Sequence, residues 1–143
     1  FSDDAAMYFG DDKDASIGFV SASGTLDVSG AMNMSTMAVG VNASTTNNTT
    51  LTSSSTKTVY DMDASAKNVT LTLPDAATVP GRMYFISVSG NPAANYARIN
   101  ATGGDDINAN NYLVSTDQWS NAVIVASNGA YRALTSGTWA AHA

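Results

Sequence analysis

Apolar residues in this chain come in short bursts of period two, each closed by Gly, Pro, Asn, Asp or Ser. Val69-Thr70-Leu71-Thr72-Leu73 is the clearest case. Its alternation is the pattern of a strand with one buried and one wet face, Val69, Leu71 and Leu73 inward. The bursts run from Thr58 to Met62, Asn68 to Leu73, Met83 to Val88, Ala97 to Ile99, Tyr112 to Val114, Ala122 to Ala126 and Tyr131 to Leu134. Short strands at regular spacing predict an all-β fold, an antiparallel β-sandwich or jelly-roll-like barrel. Asn128-Gly129 predicts a hairpin between the last two bursts, because both residues tolerate the positive φ of a type I′ turn.

The acidic residues argue the same way. All twelve are Asp and none is Glu. Glu favours helix interiors, whereas Asp competes for the backbone and favours turns and caps, so long helices are disfavoured. The net charge of −6, with only six scattered cations, also repels phosphate and excludes a nucleic-acid-binding surface. No apolar run is long enough to span a membrane, and without cysteine there is neither a disulfide framework nor a thiolate metal site. The chain begins at Phe1 with no leader of the signal-peptide type, as a processed or truncated product would.

Two stretches break the simple alternation. Met83-Tyr84-Phe85-Ile86 and Ala122-Val123-Ile124-Val125-Ala126 are apolar at consecutive positions, so both faces of these strands are expected to be covered. A small sandwich has one inside. The outer face of Phe85 and Ile124's strands therefore calls for a second layer, either another copy of the chain or a further sheet.

Residues 1–45 have a different texture. Ser23-Gly24-Thr25-Leu26-Asp27-Val28 and Ser29-Gly30-Ala31-Met32-Asn33-Met34 are two hexads of one form, each read as a tiny strand with its bend at Ser-Gly. Ile17 and Phe19 precede them in the same period. Two hexads cannot enclose a core, because stacked repeats need about three units. Ile17, Phe19, Leu26, Val28, Met32 and Met34, together with Phe85 and Ile124, are therefore the candidate assembly residues. Val41 to Thr58 is mostly Asn, Ser and Thr and reads as an extended linker or exposed loops, which leaves a short-stranded N-terminal β arm at 1–45 and a sandwich or barrel domain at 46–143.

Val69-Thr-Leu-Thr-Leu-Pro-Asp-Ala-Ala-Thr-Val-Pro-Gly-Arg-Met-Tyr-Phe-Ile, followed by Gly103-Gly104-Asp105-Asp106-Ile107 and by Ala122-Val-Ile-Val-Ala-Ser-Asn-Gly-Ala-Tyr-Arg, resembles C-terminal β domains of phage fibre and virion-surface proteins. Tyr8 to Phe19 also looks like a segment recurrent in phage structural proteins. The resemblance implies a homotrimer, with the arm intertwined, on the surface of a bacteriophage virion. It points to a capsid decoration, cement or head-fibre protein whose partners are itself and other virion proteins such as the major capsid protein. The alternative is a tail-fibre tip that binds a host surface glycan. The chain departs from the pattern after Tyr131-Arg132, continuing through Trp139 to Ala143 as an extra strand or a contact arm.

No catalytic set, metal site or cofactor is expected. His142 is a lone imidazole near the end of the chain, and no Ser-His-Asp or Cys-His arrangement can be built around it. Asp11-Asp12-Lys13-Asp14, Asp61 with Asp63, and Gly103-Gly104-Asp105-Asp106 lack the spacing of a calcium loop and read as turns and solvated faces. Trp119, Trp139 and Tyr112 could form a platform for a sugar ring, but core or interface packing is the commoner use of such residues.

Overall fold

The computed structural model describes residues 6–9, 15–20, 25–29, 40–42 and 44–142. They fall into two compact units, residues 1–38 and 39–143. In the first, β1 (Ala6–Phe9), β2 (Ala15–Val20) and β3 (Thr25–Ser29) form an antiparallel sheet in that order. Its register sets Met7 and Val28 on either side of Ile17, and Leu26 opposite Phe19. The Leu26-Asp27-Val28 half of the first hexad is thus a strand. Met32 and Met34 lie outside the described residues, as do Asp11, Asp12, Lys13 and Asp14.

The second unit is a two-layer sandwich. One layer has the order β11 (Ala130–Ser136), β10 (Asn121–Ser127), β7 (Met83–Val88), β5 (Val59–Met62). The other runs β12 (Ala140–His142), β9 (Tyr112–Ser115), β8 (Ala97–Ala101), β6 (Val69–Leu73), β4 (Thr49–Thr50). Inward side chains from both layers make one core. It includes Tyr60, Met62, Val69, Leu71, Leu73, Tyr84, Ile86, Ile99, Ile124 and Tyr131, each nearly or fully buried.

The sheets are mixed, which corrects the expectation of a purely antiparallel sandwich. β5 pairs β7 in parallel, and so do β4 with β6 and β6 with β8. Parallel neighbours need a crossover. Here the crossover is a strand of the opposite layer: the chain passes from β5 to β6, back to β7 and across again to β8, winding like a short solenoid. From β9 onward the strands pair antiparallel, and the one parallel contact there is the isolated bridge from Ile107 to Tyr131 of β11.

The winding begins earlier than composition suggests. Val41 and Thr45 bridge β5 in parallel at Val59 and Met62, and β4 then joins β6. Thr45 and Leu51 are buried. Residues 41–58, expected as linker or loops, therefore contain the first turn of the winding. Ser and Thr can serve as edge strands when backbone hydrogen bonds such as Asn42 N–H to Val59 O (2.8 Å) and Leu51 N–H to Thr72 O (2.8 Å) hold them, without any apolar alternation to announce it.

The Asn128-Gly129 hairpin forms as expected, with φ of 53° and 71° at the two residues and Ser127 paired to Ala130. The terminal segment is an extra strand, β12, which extends the second layer beyond β9. Trp139 anchors its approach: the indole packs against the core, and its Nε1–H donates to Asn121 O at 3.0 Å.

Candidate functional site

β7 and β10 explain their doubly apolar sequences by facing two ways. Tyr84, Ile86 and Val88 of β7, and Ala122, Ile124 and Ala126 of β10, enter the core. Met83, Phe85, Val123 and Val125 stand on the opposite face. Ile124 is fully buried within its own chain, so its contacts are internal. Phe85 is 38% exposed on the outside.

The register of the layer then assembles something the sequence does not display. Leu134 lies opposite Val123, Val123 opposite Phe85, Phe85 opposite Val59, and Val59 opposite Val41. One apolar residue from each of five adjacent backbone segments thus forms a continuous row. At roughly 4.8 Å between strands, its four steps span about 19 Å. Val41 is 57% and Leu134 79% exposed, and Met83 next to the row is 41% exposed. Shallow depressions flank the row, between Phe85, Val123 and Asn121 on one side of β10 and between Val123, Leu134 and Ser136 on the other.

Charge is nearly absent from this face. On the strands themselves only Asp61 and Arg132 stand outward, at different edges of the layer. The Asp61 carboxylate is already engaged, accepting hydrogen bonds from Ser87 Oγ at 3.0 Å and Ser89 Oγ at 2.6 Å. A chain of net charge −6 therefore presents one broad, almost uncharged apolar surface.

The other candidate residues are placed as follows. Ile17 is 43% exposed in the first unit, and Phe19, Leu26 and Val28 take part in its sheet through their backbones. Trp119 is 68% exposed at the β9–β10 turn with φ of 68°, Trp139 sits against the core, and Tyr112 opens β9 in the other layer. Asp63 Oδ1 accepts from the Ser65 N–H (3.0 Å), and Asp105 Oδ2 from the Ala76 N–H (2.7 Å), so each carboxylate braces a turn. Among the described residues no three acidic or His side chains converge as a metal site would require. Val41, Val59, Val123 and Leu134 escaped sequence reasoning as surface residues. Only strand register reveals their alignment, and register is not written in any one burst.

Comparison with known proteins supplies no family: no family model matches the chain, and no curated protein matches it at a significant level.

Proposed function

We propose that this is a non-enzymatic structural protein of the bacteriophage virion surface, a homotrimeric decoration, cement or head-fibre protein. Its sandwich would assemble with further copies of itself through the outer face of β5, β7, β10 and β11. The observation that carries self-assembly is the apolar row from Val41 to Leu134. A Val, Leu or Phe side chain is stabilised by about 1.5–3 kcal/mol when it passes from exposed to fully buried, so leaving the row in water forgoes a large gain. A second copy suits it better than a charged partner does. Two acidic chains repel each other over most of their surfaces, and this nearly uncharged face is where they approach at least electrostatic cost.

Three copies rather than two, and the virion rather than another surface, rest on the resemblance of the β6–β7 and β10–β11 segments to phage fibre domains. The N-terminal arm is proposed to interlock the copies, with Leu26 and Val28 in a shared seam. The competing reading is a tail-fibre tip that binds host glycan, and the exposed Trp119 favours it. Electron microscopy of purified virions labelled with an antibody to this chain separates the readings. Label on the head supports decoration, label at the tail tip supports receptor binding, and unlabelled virions contradict both.

A further inference from the structure

We propose that Asn108 guards an edge of the sandwich: its side-chain amide occupies the pairing position of β11 and keeps a second copy of the chain from adding a strand there. The device is separate from assembly through the apolar row, which concerns the face of the layer and not its edge.

A strand of seven residues at the end of a layer is a template for edge-to-edge pairing unless charge, proline, a bulge or a cover blunts it. β11 holds neither proline nor lysine, Arg132 is its one charge, and its register with β10 runs without a bulge from Ala130 to Ser136. Leu134 on this strand is 79% exposed and ends the apolar row, so a strand added beyond β11 would prolong that row into the next molecule. Such an edge needs a cover.

Alternation across the two-residue Asn128-Gly129 hairpin turns the main-chain groups of Ala130, Arg132, Leu134 and Ser136 toward β10, and those of Tyr131, Ala133 and Thr135 toward the open side. Main chain meets the first of these: Tyr131 N–H donates to Asp106 O at 2.9 Å, and Tyr131 O accepts from Asn108 N–H at 3.0 Å. The chain then turns away, and a side chain takes over. Asn108 Oδ1 accepts from Ala133 N–H at 3.0 Å, and Asn108 Nδ2 donates to Ala133 O at 2.8 Å. One amide thus makes both bonds that a residue of a neighbouring strand would make. Of the three open positions only Thr135 is left, too little to seat a strand.

The turn that presents Asn108 is itself held in place. Ile107 and Asn110 exchange main-chain bonds at 2.7 and 3.1 Å across Asn108-Ala109, whose φ values of 53° and 63° are those of a type I′ turn. Alanine in the left-handed region is strained, and such strain persists where the surroundings over-determine it. Here the fully buried Ile107 roots the turn in the core, and Asn110 Nδ2 donates to Asn108 O at 2.8 Å. Asn suits the tip because it tolerates positive φ and carries a donor and an acceptor on one short stem.

The test is Asn108→Gly, which accepts the same backbone conformation and removes only the amide. Exchange of the Ala133 amide hydrogen should quicken by about tenfold, and the mass in light scattering should climb with concentration above that of the wild type. Adding Thr135→Pro takes an N–H from the open side without touching a bond to β10, and should return the mass to the wild-type value. Asn108→Asp keeps the turn and the acceptor for Ala133 N–H but frees Ala133 O, so it should grow more slowly; it carries the test if the glycine variant does not fold. A folded Asn108→Gly whose mass matches the wild type at every concentration would overturn the proposal, and so would growth that Thr135→Pro leaves unchanged.

Discussion

Tyr60, Tyr84 and Tyr131 follow one another through the core, the first pair tilted and the second edge-to-face, with ring centroids 6.3 Å apart in each successive pair. Their hydroxyls differ in fate. Tyr131 donates to Pro74 O at 2.7 Å and Tyr60 to Lys57 O at 3.1 Å, while Tyr84 Oη is buried beside the Tyr131 hydroxyl without a well-aligned hydrogen bond. Tyr131→Phe should therefore cost about 1 kcal/mol in urea unfolding, whereas Tyr84→Phe removes a hydroxyl whose one polar neighbour, the Tyr131 hydroxyl, is poorly aligned with it, and should cost less. Burial, and then the neighbouring Tyr84, push the Tyr60 and Tyr131 hydroxyls above the ordinary tyrosine value of 10.0, with Asp105 and Asp75 adding to the effect at Tyr131. The folded protein thus keeps these protons at a pH where the unfolded chain has lost them. Their contribution to stability is complete below about pH 10 and declines as the pH rises from there toward the folded values. Unfolding followed by tyrosinate absorbance should show these two residues ionising together with loss of structure; ionisation in the native state at pH 10 would contradict their burial.

At the scale of elements, strands are legible where alternation and turn chemistry agree. β6 reads directly because Thr70 and Thr72 interrupt Val69, Leu71 and Leu73, and the β10–β11 hairpin because Asn128-Gly129 accepts positive φ. The winding is not legible. Each of β5, β6 and β7 crosses to the other layer before its neighbour arrives, so pairing partners are not consecutive in sequence. The first turn is hidden for a different reason: its backbone is bonded, but its side chains are polar except for Val41, Ala43 and Leu51. Leu51 decides the matter experimentally. Leu51→Ala should cost about 2–5 kcal/mol as a core truncation, where a linker residue would cost almost nothing. Gly137 tests the connection into β12. Its φ is 83°, and a Cβ there would come within 2.9 Å of Ser120 Cα, beside the buried Ser115–Ser120 hydroxyl pair. Gly137→Ala should destabilise by about 1–3 kcal/mol through strain, and thermal unfolding measures it.

For the whole molecule, the sequence shows that β7 and β10 are apolar on both faces, which is why a covering layer could be expected. It does not show that Val41 and Leu134 complete the same row, since that depends on how five segments align. The contrast between Phe85 and Ile124 follows. Ile124→Ala should destabilise equally at every protein concentration, whereas Phe85→Ala should matter most where copies associate. Removing residues 1–38 should leave a folded sandwich, because that unit is separately compact, while loosening the trimer if the arm interlocks it. The most direct test is light scattering at micromolar concentration on the wild type and on a Phe85→Ser/Leu134→Ser variant. Self-assembly through the outer row predicts a wild-type mass three times the 14.7 kDa of the chain, and a folded variant at the mass of one chain. A monomeric wild type, or a variant that remains fully trimeric, would contradict it.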